Sequence, residues 1–140
     1  MEKVLELSLC KMQSELFKMS IDKGIDSESF IKVFMTSDLA RHLDSEFDHL
    51  QWAGKEYIME CILEEYKDKL KFNENIYDLD TMEWIGYLYR YWHFYTGESS
   101  KEIFKQANAK TMRITYFAYH TLDVELAIDK LKDSYMSRKK

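Results

Sequence analysis

The sequence predicts an all-α fold, a single compact domain of about seven helices that cross one another. Three observations predict it. Proline is absent and glycine occurs four times in 140 residues, so the turns that strands and hairpins need are scarce. Apolar residues make up 46% of the chain, enough to build a core in a chain of one-domain length. Their spacing recurs in steps of three and four, the period of a helix face. Several segments are too short to span a plain four-helix bundle, which favours crossing helices.

Leu5, Leu9, Met12, Leu16 and Met19 form one stripe of a first helix that runs to about Ile21. Asp22-Lys23-Gly24 closes it, with glycine where a left-handed residue is often needed. Asp26-Ser27-Glu28-Ser29 opens a short second helix carrying Phe30, Val33 and Phe34, and Thr36-Ser37 caps a third around Leu39, Ala40 and Leu43. Residues 48–70 read as the longest helix, with one stripe through Leu50, Ala53, Tyr57 and Cys61 and another through Trp52, Met59, Leu63, Tyr66 and Leu70. Two stripes place it at the centre of the domain, packed against an 81–96 helix. Residues 71–79 read as a polar connection. Asp80-Thr81-Met82-Glu83 has the spacing of a capping box and opens the 81–96 helix, which Gly97 ends. Ser99-Ser100-Lys101-Glu102 repeats the device before Ile103, Phe104 and Ala107. A further helix covers about 110–119, and the last starts at Asp123 and presents Val124, Ala127, Leu131 and Tyr135. The domain spans 1–136, with 137–140 a basic tail expected to fray.

Composition excludes several function classes. The first residues are charged throughout and do not read as a signal peptide, and no apolar run approaches the ~18 residues of a membrane span. Cys10 and Cys61 are the only cysteines and read as buried free thiols in a reducing cytoplasm, not as a disulfide framework or zinc site. Net charge is −5, unevenly spread: residues 44–83 carry −8 and residues 84–140 carry +4. General nucleic-acid binding needs a concentrated basic face and is therefore disfavoured. The acidic middle suits a basic protein partner, or is an ordinary solvated face.

The densest chemistry lies in 84–104, which holds eight Trp, Tyr and Phe residues. One amphipathic face cannot hide that many rings, so either the helix is buried on nearly all sides or part of it serves a partner. Arg90 and His93 lie three apart, on one side of that helix. A guanidinium among Tyr87, Tyr89, Tyr91 and Trp92 can stack on a ring and still fork onto a carboxylate. With Ser99, Ser100, His120 and Asp123 these residues have the types of an acid/base or anion site, of a structural network, or of an interface, where Tyr, Trp and Arg serve as anchors. His42, Glu46 and His49 follow ligand-like steps, yet Asp44-Ser45 and Asp48 read as caps that interrupt the helix, so no metal or cofactor is expected. Signature motifs of phosphate, zinc and serine-hydrolase chemistry are missing. Residues 99–119, with Lys101, Lys105, Lys110 and Arg113 outward, resemble a helix-turn-helix in outline but lack polar base readers.

The 84–104 stretch, with its YRYW…ESSKEI motif, is joined by ESFIKVFMTSDLARHLD (28–44), QWAGKEYIMECILE (51–64) and YHTLDVELAIDKL (119–131). Together they resemble a family of small, uncharacterised bacterial all-helical proteins, in order over about 27–131. Where that family tends to have Asp-Pro before the last helix, this chain has Asp123-Val124, a dispensable difference at a first helical position. Its members are often encoded beside a toxin-like protein of ADP-ribosyltransferase type, which implies an antitoxin or regulator that binds such a partner. The resemblance places Trp84, Tyr87, Tyr89, Arg90, Tyr91, Trp92, Ser99, Ser100, His120 and Asp123 in the family motif and implies no catalytic residue. The expectation is thus a non-catalytic protein-binding module. The alternatives are a small enzyme or ligand-binding domain built on Arg90, His93 and His120, and a helix-turn-helix DNA binder.

Overall fold

The computed structural model describes residues 2–46 and 48–139. Among them are eight α-helices and no strand, packed as one domain: α1 (Lys3–Asp22), α2 (Ser27–Met35), α3 (Asp38–Asp44), α4 (Lys55–Tyr66), α5 (Leu79–Thr96), α6 (Ser100–Gln106), α7 (Ala109–Tyr119) and α8 (Val124–Lys139). No helix among them is long and apolar enough to cross a membrane.

The central pair is α1 and α5, which run antiparallel, as shown by contacts from Lys3 to Tyr91, Gln13 to Gly86 and Lys18 to Glu83. This corrects the expected pairing: α5 lies along α1, and α4 also packs on α1. The reason is visible at Gly86, where a β-carbon would meet the Gln13 carbonyl oxygen at 2.7 Å and the Ser14 Cα at 2.9 Å. Only a glycine lets the two backbones approach so closely. The buried face of α1 accordingly contains Gln13, Ser14 and Ser20 beside Leu9, Leu16 and Phe17. Phe17 stands edge-on to Phe30 at 5.2 Å and to Phe34 at 5.5 Å, an arrangement rings favour, and this cluster ties α2 to the central pair.

Three boundaries differ from the sequence reading. The 48–70 segment is broken by Gly54, whose φ of +86° is a conformation that glycine adopts without strain. It leaves a 3₁₀ turn at His49–Trp52, α4, and a second 3₁₀ turn at Lys67–Lys69. The cap of α5 is Asp78, not Asp80: its carboxylate accepts from the Thr81 amide at 3.0 Å. The 71–79 connection is pinned to the α1–α2 corner. The Asp26 amide donates to the Lys71 carbonyl, the Tyr77 amide to Ser27 Oγ, and the Tyr77 hydroxyl to Glu28. Finally, α8 continues through Lys139; residue 140 lies outside the described residues. The capping box at Ser99 and Glu102 forms as read, with bonds of 3.2 and 3.0 Å.

Candidate functional site

Arg90 is the largest polar side chain in the core, 2% exposed. Its Nε donates to Gln13 Oε1 on α1 at 2.9 Å, Nη1 to Asp44 Oδ1 at the end of α3 at 2.7 Å, and Nη2 to Ser100 Oγ on α6 at 3.2 Å. Asp44 in turn accepts from the Ser100 amide at 2.8 Å and hydroxyl at 2.7 Å. His93 lies beside this cluster, with Nδ1 3.8 Å from Asp44 and 2.7 Å from the Glu98 carbonyl. That carbonyl can only accept, so the His93 proton sits on Nδ1. Four helices meet at one guanidinium.

The types present could suggest Ser/His/Asp chemistry, but the geometry points elsewhere. A nucleophilic serine needs a base in contact with its oxygen and access for substrate. Ser100 is buried, donates to Asp44 and accepts from Arg90. Among the described residues no buried side-chain nitrogen or oxygen lacks a partner. The cluster is a closed clamp.

A second polar network adjoins it. Glu98 accepts from Trp92 Nε1 at 2.9 Å, Lys132 Nζ at 2.7 Å and Gln106 Nε2 at 2.7 Å. Burial raises the Glu98 carboxyl, but these donors outweigh it and hold the group at about 2. A depressed carboxylate stabilises the fold above its unfolded value of 4.5, and that stability is lost as pH falls toward the folded value. Glu98→Gln is therefore expected to cost about 2 kcal/mol at neutral pH. It should also flatten the acid limb of a stability–pH curve between 4.5 and about 2, measured by urea denaturation.

The other expected site residues disperse. Tyr89 is buried and donates to the Ala107 carbonyl at 2.6 Å; burial pushes its phenol well up. Tyr91 donates to Glu125 and accepts from Lys3. Ser99 and Asp123 are helix caps. His120 stacks on Tyr116 at 4.3 Å, and Tyr116 in turn meets Trp84. Trp84 sits nine residues before His93, about 13 Å along the helix. The structure thus joins Arg90, His93 and Ser100 and leaves His120 in a separate environment, so no common cavity of Arg90, His93 and His120 exists. Sequence reading missed Gln13, Asp44 and Glu98 as partners; the one local signal is that Gln13 falls four residues after Leu9 and three before Leu16, in step with the apolar stripe.

No group of three metal-ligand side chains occurs among the described residues. His42 contacts Asp48 at 2.9 Å. Burial raises the Cys10 thiol to about 12, which removes it as a nucleophile at neutral pH. The outer face of α7 carries Ile114 and Phe117, 77% and 86% exposed, where a recognition helix would carry polar base readers.

Besides α7, two further exposed surfaces carry aromatic residues. On α4, Glu56, Tyr57, Glu60 and Glu64 are all exposed and recur at helical spacing on one side. Trp52, 69% exposed, precedes them, and Tyr57 is 52% exposed. Between α1, α5 and α7 runs a cleft of about 610 Å³ whose lining includes Trp84, Tyr87, Tyr116 and His120. A larger cleft of about 770 Å³ beside α2 is lined by three lysines and three acids, which balance. Comparison with protein families, with curated proteins and with solved structures returns no match for this chain.

Proposed function

We propose that this protein is a non-catalytic, cytoplasmic binding module that covers the working face of a basic partner protein. The partner class we infer is the toxin-like ADP-ribosyltransferase type that the sequence resemblance implies, which makes this chain antitoxin-like. The observation that carries the reading is the outer face of α4. Tyr57 stands exposed among Glu56, Glu60 and Glu64, and Trp52 stands exposed on the turn that precedes them, within the stretch that carries −8. Exposed Trp and Tyr are the side chains that most often dominate an interface. Carboxylates around them raise the encounter rate with a basic surface and disfavour acidic competitors. The chemistry-bearing residues are meanwhile engaged in the closed Arg90 and Glu98 networks, which supports binding over catalysis.

The test is co-expression with the proteins encoded beside this chain, followed by pull-down and growth rescue. Trp52→Ala with Tyr57→Ala is expected to weaken capture at least about 30-fold. Thermal stability should change little, since both rings are exposed. Glu60→Lys with Glu64→Lys should act mainly by slowing association. Phe117→Ala should leave capture intact. If no neighbour is captured or toxic, the antitoxin reading falls. If Phe117→Ala abolishes capture while the α4 variants do not, the interface lies on α7.

A further inference from the structure

We propose that the cleft between α1, α5 and α7 is a binding site for an arginine side chain of a peptide, with Trp84 and Tyr116 as its aromatic walls and Asp80 as its carboxylate. This inference does not depend on what covers α4. Trp84 and Tyr116 meet at 5.6 Å and 77°, a near-perpendicular corner. His120 stacks on Tyr116 at 4.3 Å and 12°, which holds that ring in place. A flat guanidinium can lie on one wall of such a corner and still offer its N–H groups to a carboxylate in the ring plane. An ammonium lacks the flat face and the fork.

The charges around this corner favour a cation. Asp80 and Glu83 line the cleft. Glu83 is shared with Lys18 at 3.0 Å, whereas Asp80 has no ion-pair or hydrogen-bond partner among the described residues. The α5 N-terminus adds about half a positive charge, but Asp78 caps it and leaves Asp80 free. The Tyr116 phenol is raised, first by burial and then by Asp80, Asp78 and Glu83, so three carboxylates act at this end. Glu15 faces Lys55 at 3.4 Å. Lys11, which has no ion-pair partner among the described residues, sits seven residues from Lys18, about 10 Å along α1 and toward Tyr87. The cleft is acidic at its Trp84–Tyr116 end and basic at the other.

The probe is N-acetyl-arginine methylamide, titrated into the ¹⁵N-labelled full chain. The three tryptophans supply internal controls, because Trp52 is exposed on the 49–52 turn and Trp92 donates to Glu98. The Trp84 indole signal should move and saturate at about 1–10 mM, the range of a single side chain, while the Trp52 and Trp92 signals stay. The neutral citrulline analogue should bind about tenfold more weakly and the lysine analogue about threefold more weakly. Asp80→Asn, at an exposed position that leaves the core intact, should weaken the arginine probe about two- to fivefold. Equal binding of arginine and citrulline probes overturns the proposal, as does movement of Trp52 in place of Trp84. Free L-arginine binding tenfold more tightly than the capped amide would overturn the peptide source.

Discussion

Arg90→Ala is expected to lower stability by about 3–5 kcal/mol, the cost of removing one member of a buried ion pair. The substitution leaves Asp44, which is 10% exposed, without its guanidinium partner and deprives Gln13 and Ser100 of a donor. Its converse, Asp44→Ala, strands a guanidinium in the core and should cost a similar amount. A chain of this size has about 5–15 kcal/mol in total, so each variant should melt roughly 10–20 °C lower. Urea denaturation of both single variants and the double variant measures the coupling. The double should be less destabilised than the sum of the singles by at least about 1 kcal/mol. Additivity would mean that the pair contributes no mutual stabilisation.

The second large effect is expected at Gly86→Ala. Alanine is the better helix former by about 1 kcal/mol, so propensity alone predicts stabilisation. Packing opposes it, because the added carbon meets the α1 backbone at 2.7 and 2.9 Å and Phe17 at 2.9 Å. Two of those three atoms are main chain, and neither can swing aside. The helices must separate, which also strains the bond from Gln13 Nε2 to the Gly86 carbonyl. We expect a net loss of about 2–3 kcal/mol, read by thermal or urea melting. A stabilised variant would show that α1 and α5 are less tightly apposed than described.

What was legible in the sequence is local. Ser99 and Glu102 lie three residues apart, and their reciprocal caps need nothing from the rest of the chain. Asp26, Ser37 and Gly97 act where they were expected for the same reason. Asp80 reads as the cap of α5, but Asp78 takes that place, where the chain is anchored by the neighbouring Tyr77 on Ser27 and Glu28. Gly54 lies inside the 48–70 segment that reads as one helix, and its positive φ, a property of the folded chain, breaks that segment.

The site was less legible because its partners are remote. Arg90 is separated from Gln13 by 77 residues and from Asp44 by 46, and no periodicity links them. The aromatic helix itself posed a choice between core and interface. Tyr89 and Trp92 are core and Tyr91 is half-buried, because α1, α6, α7 and α8 each pack on α5. Among its rings, the exposed one is Tyr95 at its end. The aromatic residues exposed in the acidic 44–83 segment are instead Trp52 and Tyr57, which the proposed function takes as anchors.

The central claim is that Tyr89, Arg90 and Trp92 are scaffold and the outer face of α4 is the working surface. Hydrogen–deuterium exchange on the chain alone and in complex with a co-purified partner tests it most directly. The account predicts new protection across 49–66, with the amides of 84–96 equally slow in both states. Protection confined to 84–100, with 49–66 unchanged, would contradict it.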